Sequence, residues 1–352
     1  MLTTRLLTNM LLNKPLVVLA ALGLQTVAAT QAFTPPADAP CATQWLPGES
    51  VAGVDGTVVE TRMWDPDGAG PAAPRLVIAG DFSVAGNVQA SNIVTWDPVA
   101  GSWSPLGSGL SGFSDHVATL TTLPNGDLVA GGNFTTAGSV AANNIARWDG
   151  SSWSPLGSGM DNVVTTLTTL PNGDLVAGGY FTTAGGVAAS RIARWDGTSW
   201  SPLGSGMNSY VSALTTLPNG DLVAGGAFTT AGGAATSYIA RWNGSSWLPI
   251  GAGVNNLVGA LTTLANGDLV AGGSFLSAGG TAAKFIARWD GSSWSPFGSG
   301  MNGRVYSLTT LPSGNLIAGG QFATAGGVAV NSIARWDGTS WSPLGSGTLP
   351  VG

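Results

Sequence analysis

One unit repeats through most of this chain. Residues 167–207 read LTTLPNGDLVAGGYFTTAGGVAASRIARWDGTSWSPLGSGM, and close copies run from about residue 54 to the end. Aligned on the leucine of LVAGG, the copies place Leu76, Leu128, Leu175, Leu222, Leu269 and Leu316 in one column; the first step is 52 residues and the last four are 47. A fixed period of this length means that neighbouring copies stack to bury a shared core, so the 352 residues are read as one array and not as two unrelated domains.

Each copy reads as four short strands. In the third, residues 164–170 (VTTLTTL) are rich in Val, Thr and Leu, which suit a pleated surface. Pro171-Asn172-Gly173 makes a tight turn, with Asn-Gly supplying positive φ. Residues 174–181 (DLVAGGYF) form a second, nearly continuous apolar strand, as a strand covered on both faces requires. The pair Gly178-Gly179 is expected to make room for the two tryptophans of the copy, Trp195 and Trp200. A loop, TTAGGVAAS, leads to a third strand at 191–195, and Asp196-Gly197 turns the chain into a fourth at 200–203. Pro202 belongs on an outer edge, where a missing N–H costs nothing. The first copy has a longer opening hairpin, MWDPDGAGPAAPRL.

The Gly pair after an apolar strand, then an aromatic-Asp step and a Trp, as in LVIAGDF…NIVTWDPVAGSWSPLG (residues 76–107), resembles the kelch repeat. The units are similar to kelch-type repeats of bacterial secreted proteins and of the fungal cortical polarity-marker ectodomain, over about residues 54–347. The resemblance implies an all-β, kelch-like propeller fold of the galactose-oxidase type, and six copies of four strands each imply a six-bladed β-propeller of four-stranded antiparallel blades. It implies little about activity, because propellers host many functions. A strand around Trp45 (QWLPG) resembles the fourth strand of later copies and is a candidate closing strand.

Ahead of the array, residues 1–32 have a basic start (Arg5, Lys14), an apolar stretch PLVVLAALGL and a small-residue run VAATQA, the pattern of a cleaved secretory signal. Residues 33–43 read as a Pro/Ala linker, and residues 44–352 as the propeller. A secreted or cell-surface monomer follows as the expectation, with no membrane insertion after cleavage. The formal net charge is −6, and loss of Arg5 and Lys14 makes it −8. No basic stripe remains for a phosphate backbone, so nucleic acid is not an expected partner.

Catalytic chemistry has few residues to draw on. His116 is the only histidine, Cys41 the only cysteine, and Glu49 and Glu60 the only glutamates. A galactose-oxidase-like copper centre needs two His ligands and a Cys–Tyr crosslink, which the chain lacks. WDGSSW (148–153) misses the spacing of the sialidase aspartate box by one residue. Arg147, Arg194, Arg241, Arg288 and Arg335 share one column and are expected to stack on Trp or pair with Asp. Turn aspartates such as Asp127 and Asp149 offer one carboxylate each, too few for calcium, and are expected to bond their own turns. No cofactor and no enzymatic activity are expected.

Three columns vary between copies. One precedes the first strand (His116, Val163, Tyr210, Leu257, Arg304), one ends the second (Asp81, Asn133, Tyr180, Ala227, Ser274, Gln321), and one precedes the third (Asn92, Asn144, Arg191, Tyr238, Phe285, Ser332, each with its predecessor, such as Lys284). In an antiparallel blade all three lie at the same end. The expected ligand-binding face is therefore His116, Tyr180, Arg191, Tyr210, Tyr238, Lys284, Phe285 and Arg304, with an extracellular protein or glycan as partner. Solvent-loop drift explains the same variation without any function. A carbohydrate-active enzyme on a propeller scaffold, or a structural cell-surface component, are the alternatives.

Overall fold

The structure is a computed structural model that describes residues 53–68, 70–112 and 116–344. The signal, the linker, Cys41, Trp45 and Glu49 lie outside the described residues. No described residue is helical, and no helix there is long and apolar enough to cross a membrane.

Six four-stranded antiparallel sheets follow one another, named here first to sixth in chain order. In the third sheet the strands are Val164–Thr169, Leu175–Gly179, Ile192–Trp195 and Trp200–Pro202, paired in that order from the innermost outward. The Asn-Gly turn joins the first two as expected, with Gly173 at φ +92°. The segment expected to be a loop is a small hairpin, Thr183–Ala184 against Val187–Ala188. Gly185 and Gly186, at φ +60° and +81°, give it the tight turn that matches strand twist. Ala184 also bridges to Met160, which fastens the hairpin to the end of the preceding copy.

The glycine pair serves a different purpose from the one expected. The innermost strand carries a bulge between Val164 and Thr166, repeated in all six sheets. A Cβ on Gly179 would lie 2.2 Å from the carbonyl oxygen of Val163 beside that bulge. A Cβ on Gly178 would lie 2.8 Å from Cγ1 of Val211, which the fourth sheet presses against it. The tryptophans lie elsewhere: Trp200 packs on Gly185 and Gly157, whose added Cβ atoms would meet its Cδ1 at 2.9 and 3.4 Å. Gly178-Gly179 therefore thins the sheet for a neighbouring valine and for its own bulge.

Consecutive sheets share one packing recipe. Between the third and fourth, Val176 and Ile192 meet Leu203, Met207, Val211, Leu222, Phe228 and Trp247. Val176, Ile192 and Phe228 are fully buried, each contributing about 1.5–3 kcal/mol of transfer free energy. Trp247 Nε1 closes the seam by donating to the Leu203 carbonyl at 3.0 Å, as Trp200 does to Leu156 at 2.9 Å. The same apolar clusters run from the first–second seam to the fifth–sixth. On its remaining face the first sheet has a smaller cluster of its own: Phe82, Ala85, Ala90 and Val94.

Candidate functional site

The six inner strands line one central cavity of about 1380 Å³. Toward one mouth lie the starts of those strands; at the other stand the Asn125-Gly126 hairpin and the long turn of the first sheet, with Asp65 and Asp67. The geometry places the three variable columns together as their antiparallel register requires. His116 faces Asn133 and Arg304 faces Gln321 across the ladder, and the Arg191 carbonyl accepts from Gly179 N at 3.0 Å.

Among the expected site residues, Tyr180, Tyr210 and Arg191 come together. Tyr180 and Tyr210 belong to different sheets, yet their rings stack across the seam with centroids 4.5 Å apart and planes 19° from parallel. Tyr180 remains 40 % exposed. Partial burial and the adjoining Tyr210 phenol push the Tyr180 phenol above its ordinary pKa. The Arg191 guanidinium donates to the Tyr180 carbonyl, locking the platform from below.

Tyr238 and Phe285 do not join this surface. Tyr238 packs against the fourth–fifth core cluster and Phe285 against the fifth–sixth, each half-buried, and neither stacks with another ring among the described residues. Lys284 and Arg304 are exposed on other sheets, and His116 is half-buried on the second. The third column has a property the sequence hides. Asn92, Asn144, Arg191, Tyr238, Phe285 and Ser332 all have φ between 61° and 70°, the left-handed region. Asn92 and Asn144 suit it, and their amides donate to the Leu110 and Met160 carbonyls at 2.8 and 2.9 Å. Arg191, Tyr238 and Phe285 hold that conformation at a cost of roughly 1–2 kcal/mol each.

Three residues that the sequence reading did not select face the cavity. Glu60 and Arg62 lie on the inner strand Thr57–Trp64 of the first sheet. The ladder puts Glu60 opposite Ala79 as it puts Thr119 opposite Gly131 and Thr166 opposite Gly178. The columns of Glu60 and Arg62 therefore hold only small or hydroxyl residues in the other sheets: Thr119, Thr166, Ala213, Ala260 and Ser307 for the former, threonine throughout for the latter. Glu60 is half-buried at the cavity wall; desolvation pushes its carboxyl up to about 7, against the pull of the Arg62 charge. Arg62 Nε donates to Thr122 Oγ1 of the second sheet at 2.9 Å. The third is Tyr306, the one aromatic in the bulge column, 37 % exposed and bonded through its hydroxyl to Gln321 Oε1 at 3.3 Å. Comparing the copies along the inner strand would have found all three.

The uniform turns are structural. Asp149 Oδ1 accepts from Ser151 N and Ser152 N, both at 2.8 Å, and these bonds hold its carboxyl well below the usual range. Arg147, Arg194, Arg241 and Arg288 pair with Asp127, Asp174, Asp221 and Asp268 of their own sheets at 2.8–3.4 Å. Arg335 has Asn315 at the matching position. A further repeated device anchors the small hairpins: Asp161 Oδ1 accepts from Thr182 N and Thr183 N at 2.7 and 2.9 Å, and Asn208 does the same for Thr229 and Thr230.

Comparison with known proteins points to the same architecture. Residues 170–195 match the family described as "Domain of unknown function (DUF5122) beta-propeller". No curated protein matches this chain. Among solved structures, U3-55K aligns with a TM-score of 0.53 at 15 % identity, over 82 % of this chain and 79 % of that one. The WD40 repeats of RRP9 align with a TM-score of 0.50 at 15 % identity, covering 82 % and 81 %. The extracellular domain of BT3049 from B. thetaiotaomicron, described as a hybrid two-component system, aligns with a TM-score of 0.50 at 12 % identity, over 79 % of this chain; the chain spans only 34 % of that structure. These likenesses concern the fold, and with the repeated sheets they make the chain a β-propeller repeat protein.

Proposed function

We propose that this protein is a secreted or cell-surface, non-enzymatic binding module that takes an extracellular protein or glycan on its variable rim. The observation that carries this reading is the Tyr180–Tyr210 stack, an exposed aromatic platform built across a seam and braced by Arg191 in a strained conformation. Rigid tyrosines offer large contact area at low entropic cost, and ring faces suit sugars and side chains alike. Strain held at an exposed rim fits a site kept for recognition over stability.

In a glycan-array and cell-surface binding assay, Tyr210→Ala is expected to weaken binding by about tenfold or more with thermal unfolding little changed. Arg191→Asn separates the two roles of its position: asparagine suits the left-handed backbone, so stability is expected to rise by about 1 kcal/mol while binding falls. Binding unaffected by both substitutions would overturn the rim reading.

The propeller is proposed to be kelch-like and six-bladed, with the sixth sheet closing on the first. Ile317 and Ile333 stand in the columns through which Val176 and Ile192 fill the next seam, and Phe82 and Val94 in the columns that receive them; among the described residues the first and sixth sheets share no apolar cluster, so the repeat alone supports closure. Electron-microscopy averages are expected to give a closed disc of six sectors; an open arc or a seventh sector would refute closure.

A further inference from the structure

The cavity wall holds the two most conspicuous departures from the repeat, and they are of opposite charge. Glu60 makes no hydrogen bond or ion pair among the described residues, although it is half-buried. Arg62 is fixed through Nε to Thr122, while its two terminal nitrogens carry no hydrogen bond among the described residues. The two charges attract one another only through space, which leaves both carboxylate oxygens and the terminal guanidinium nitrogens without a direct partner in a partly dry wall; five other sheets avoid that cost with Thr, Ser or Ala at the same levels.

The two positions lie two residues apart beyond the bulge, so they project to the same side of the strand with backbones roughly 6–7 Å apart. Trp64 continues that row and donates Nε1 to the Gly126 carbonyl at 2.8 Å, so the row is pinned to the second sheet at its far end. Around it the wall is neutral and hydroxyl-bearing, with Thr119, Thr166 and Ser307 at the level of Glu60. A single cation would meet Arg62, and a single anion would meet Glu60. A molecule carrying both charges a few ångströms apart answers both groups.

We propose that the central cavity is a binding site for a small zwitterion of the amino-acid type, its ammonium on the Glu60 carboxylate and its carboxylate on the terminal nitrogens of Arg62. This site is independent of the rim platform: it uses other residues and another sheet, and either can fail alone.

The test uses the full chain. The twenty L-amino acids are screened by thermal shift, and the strongest stabiliser is titrated calorimetrically beside its N-acetyl and methyl-ester derivatives. At least one amino acid is expected to bind, with both blocked derivatives weaker by about tenfold or more, because each removes one charge-assisted partner. Glu60→Gln keeps the side chain's shape and is expected to lose about tenfold. Arg62→Lys, which keeps a cation but loses the fork and the Thr122 anchor, is expected to lose affinity while the protein still melts cooperatively. No amino acid binding, equal binding of a blocked derivative, or full affinity in Glu60→Gln would each overturn the proposal.

Discussion

At pH 8, Glu60→Gln is expected to be more stable than the parent protein by about 2–3 kcal/mol, and at pH 4 the two are expected to be alike. Desolvation raises the Glu60 carboxyl from 4.5 in the unfolded chain to about 7 in the folded one, the attraction of Arg62 included. The folded state therefore holds its proton more tightly. Below about pH 4.5 the carboxyl is neutral in both states and burial costs little. As pH rises from there through 7, the unfolded chain ionises first and gains relative to the folded one; above 7 the deficit is constant. Each unit of difference is worth about 1.4 kcal/mol, reduced here because the group is only half-buried. Denaturant unfolding of both proteins at pH 4, 6 and 8 measures this directly. A stability difference that stays constant across that range would contradict the desolvated placement of Glu60.

Gly179→Ala is expected to destabilise by about 3 kcal/mol or more, whereas Gly186→Ala is expected to cost about 1 kcal/mol. The two glycines look alike in sequence, each the second of a Gly-Gly pair. At Gly179 the new methyl would sit 2.2 Å from the Val163 carbonyl, a backbone atom at the bulge that cannot turn aside. At Gly186 the nearest atom is Ser158 Oγ at 4.0 Å, so only the left-handed φ of +81° is penalised. Equal costs in urea unfolding would mean that bulge and glycine are not coupled.

The repeat made the sheets legible because it is written in short-range chemistry. Asn172-Gly173 fixes a hairpin, Asp196 closes its own turn, and Arg194 finds Asp174 at the start of the adjacent strand, all within one copy. What remained hidden depends on neighbours in space. The role of Gly178-Gly179 follows from Val211, thirty-odd residues away, and from a bulge that alternation of apolar and polar residues does not announce. Tyr238 and Phe285 sit in the same variable column as Arg191, but each packs partly against an apolar seam cluster. The left-handed backbone of that column is announced only by Asn92 and Asn144, since the residues that replace them share no chemistry. Glu60 stands out in the sequence only as one of two glutamates, because VVETRMW does not align by eye with VTTLTTL; the register, with Glu60 at the level of Thr166, is what brings the two strands into one column.

The indole links have a direction. Trp153 donates to Leu106, Trp200 to Leu156, Trp247 to Leu203, Trp294 to Ile250 and Trp341 to Phe297, so in these five outer-strand links the later sheet supplies the donor and the earlier one the acceptor; Trp64, on an inner strand, runs the other way to Gly126. A chain emerging amino terminus first thus presents the acceptor of each outer-strand link before its indole donor is made. The order of synthesis and the direction of these five links therefore coincide along the whole array.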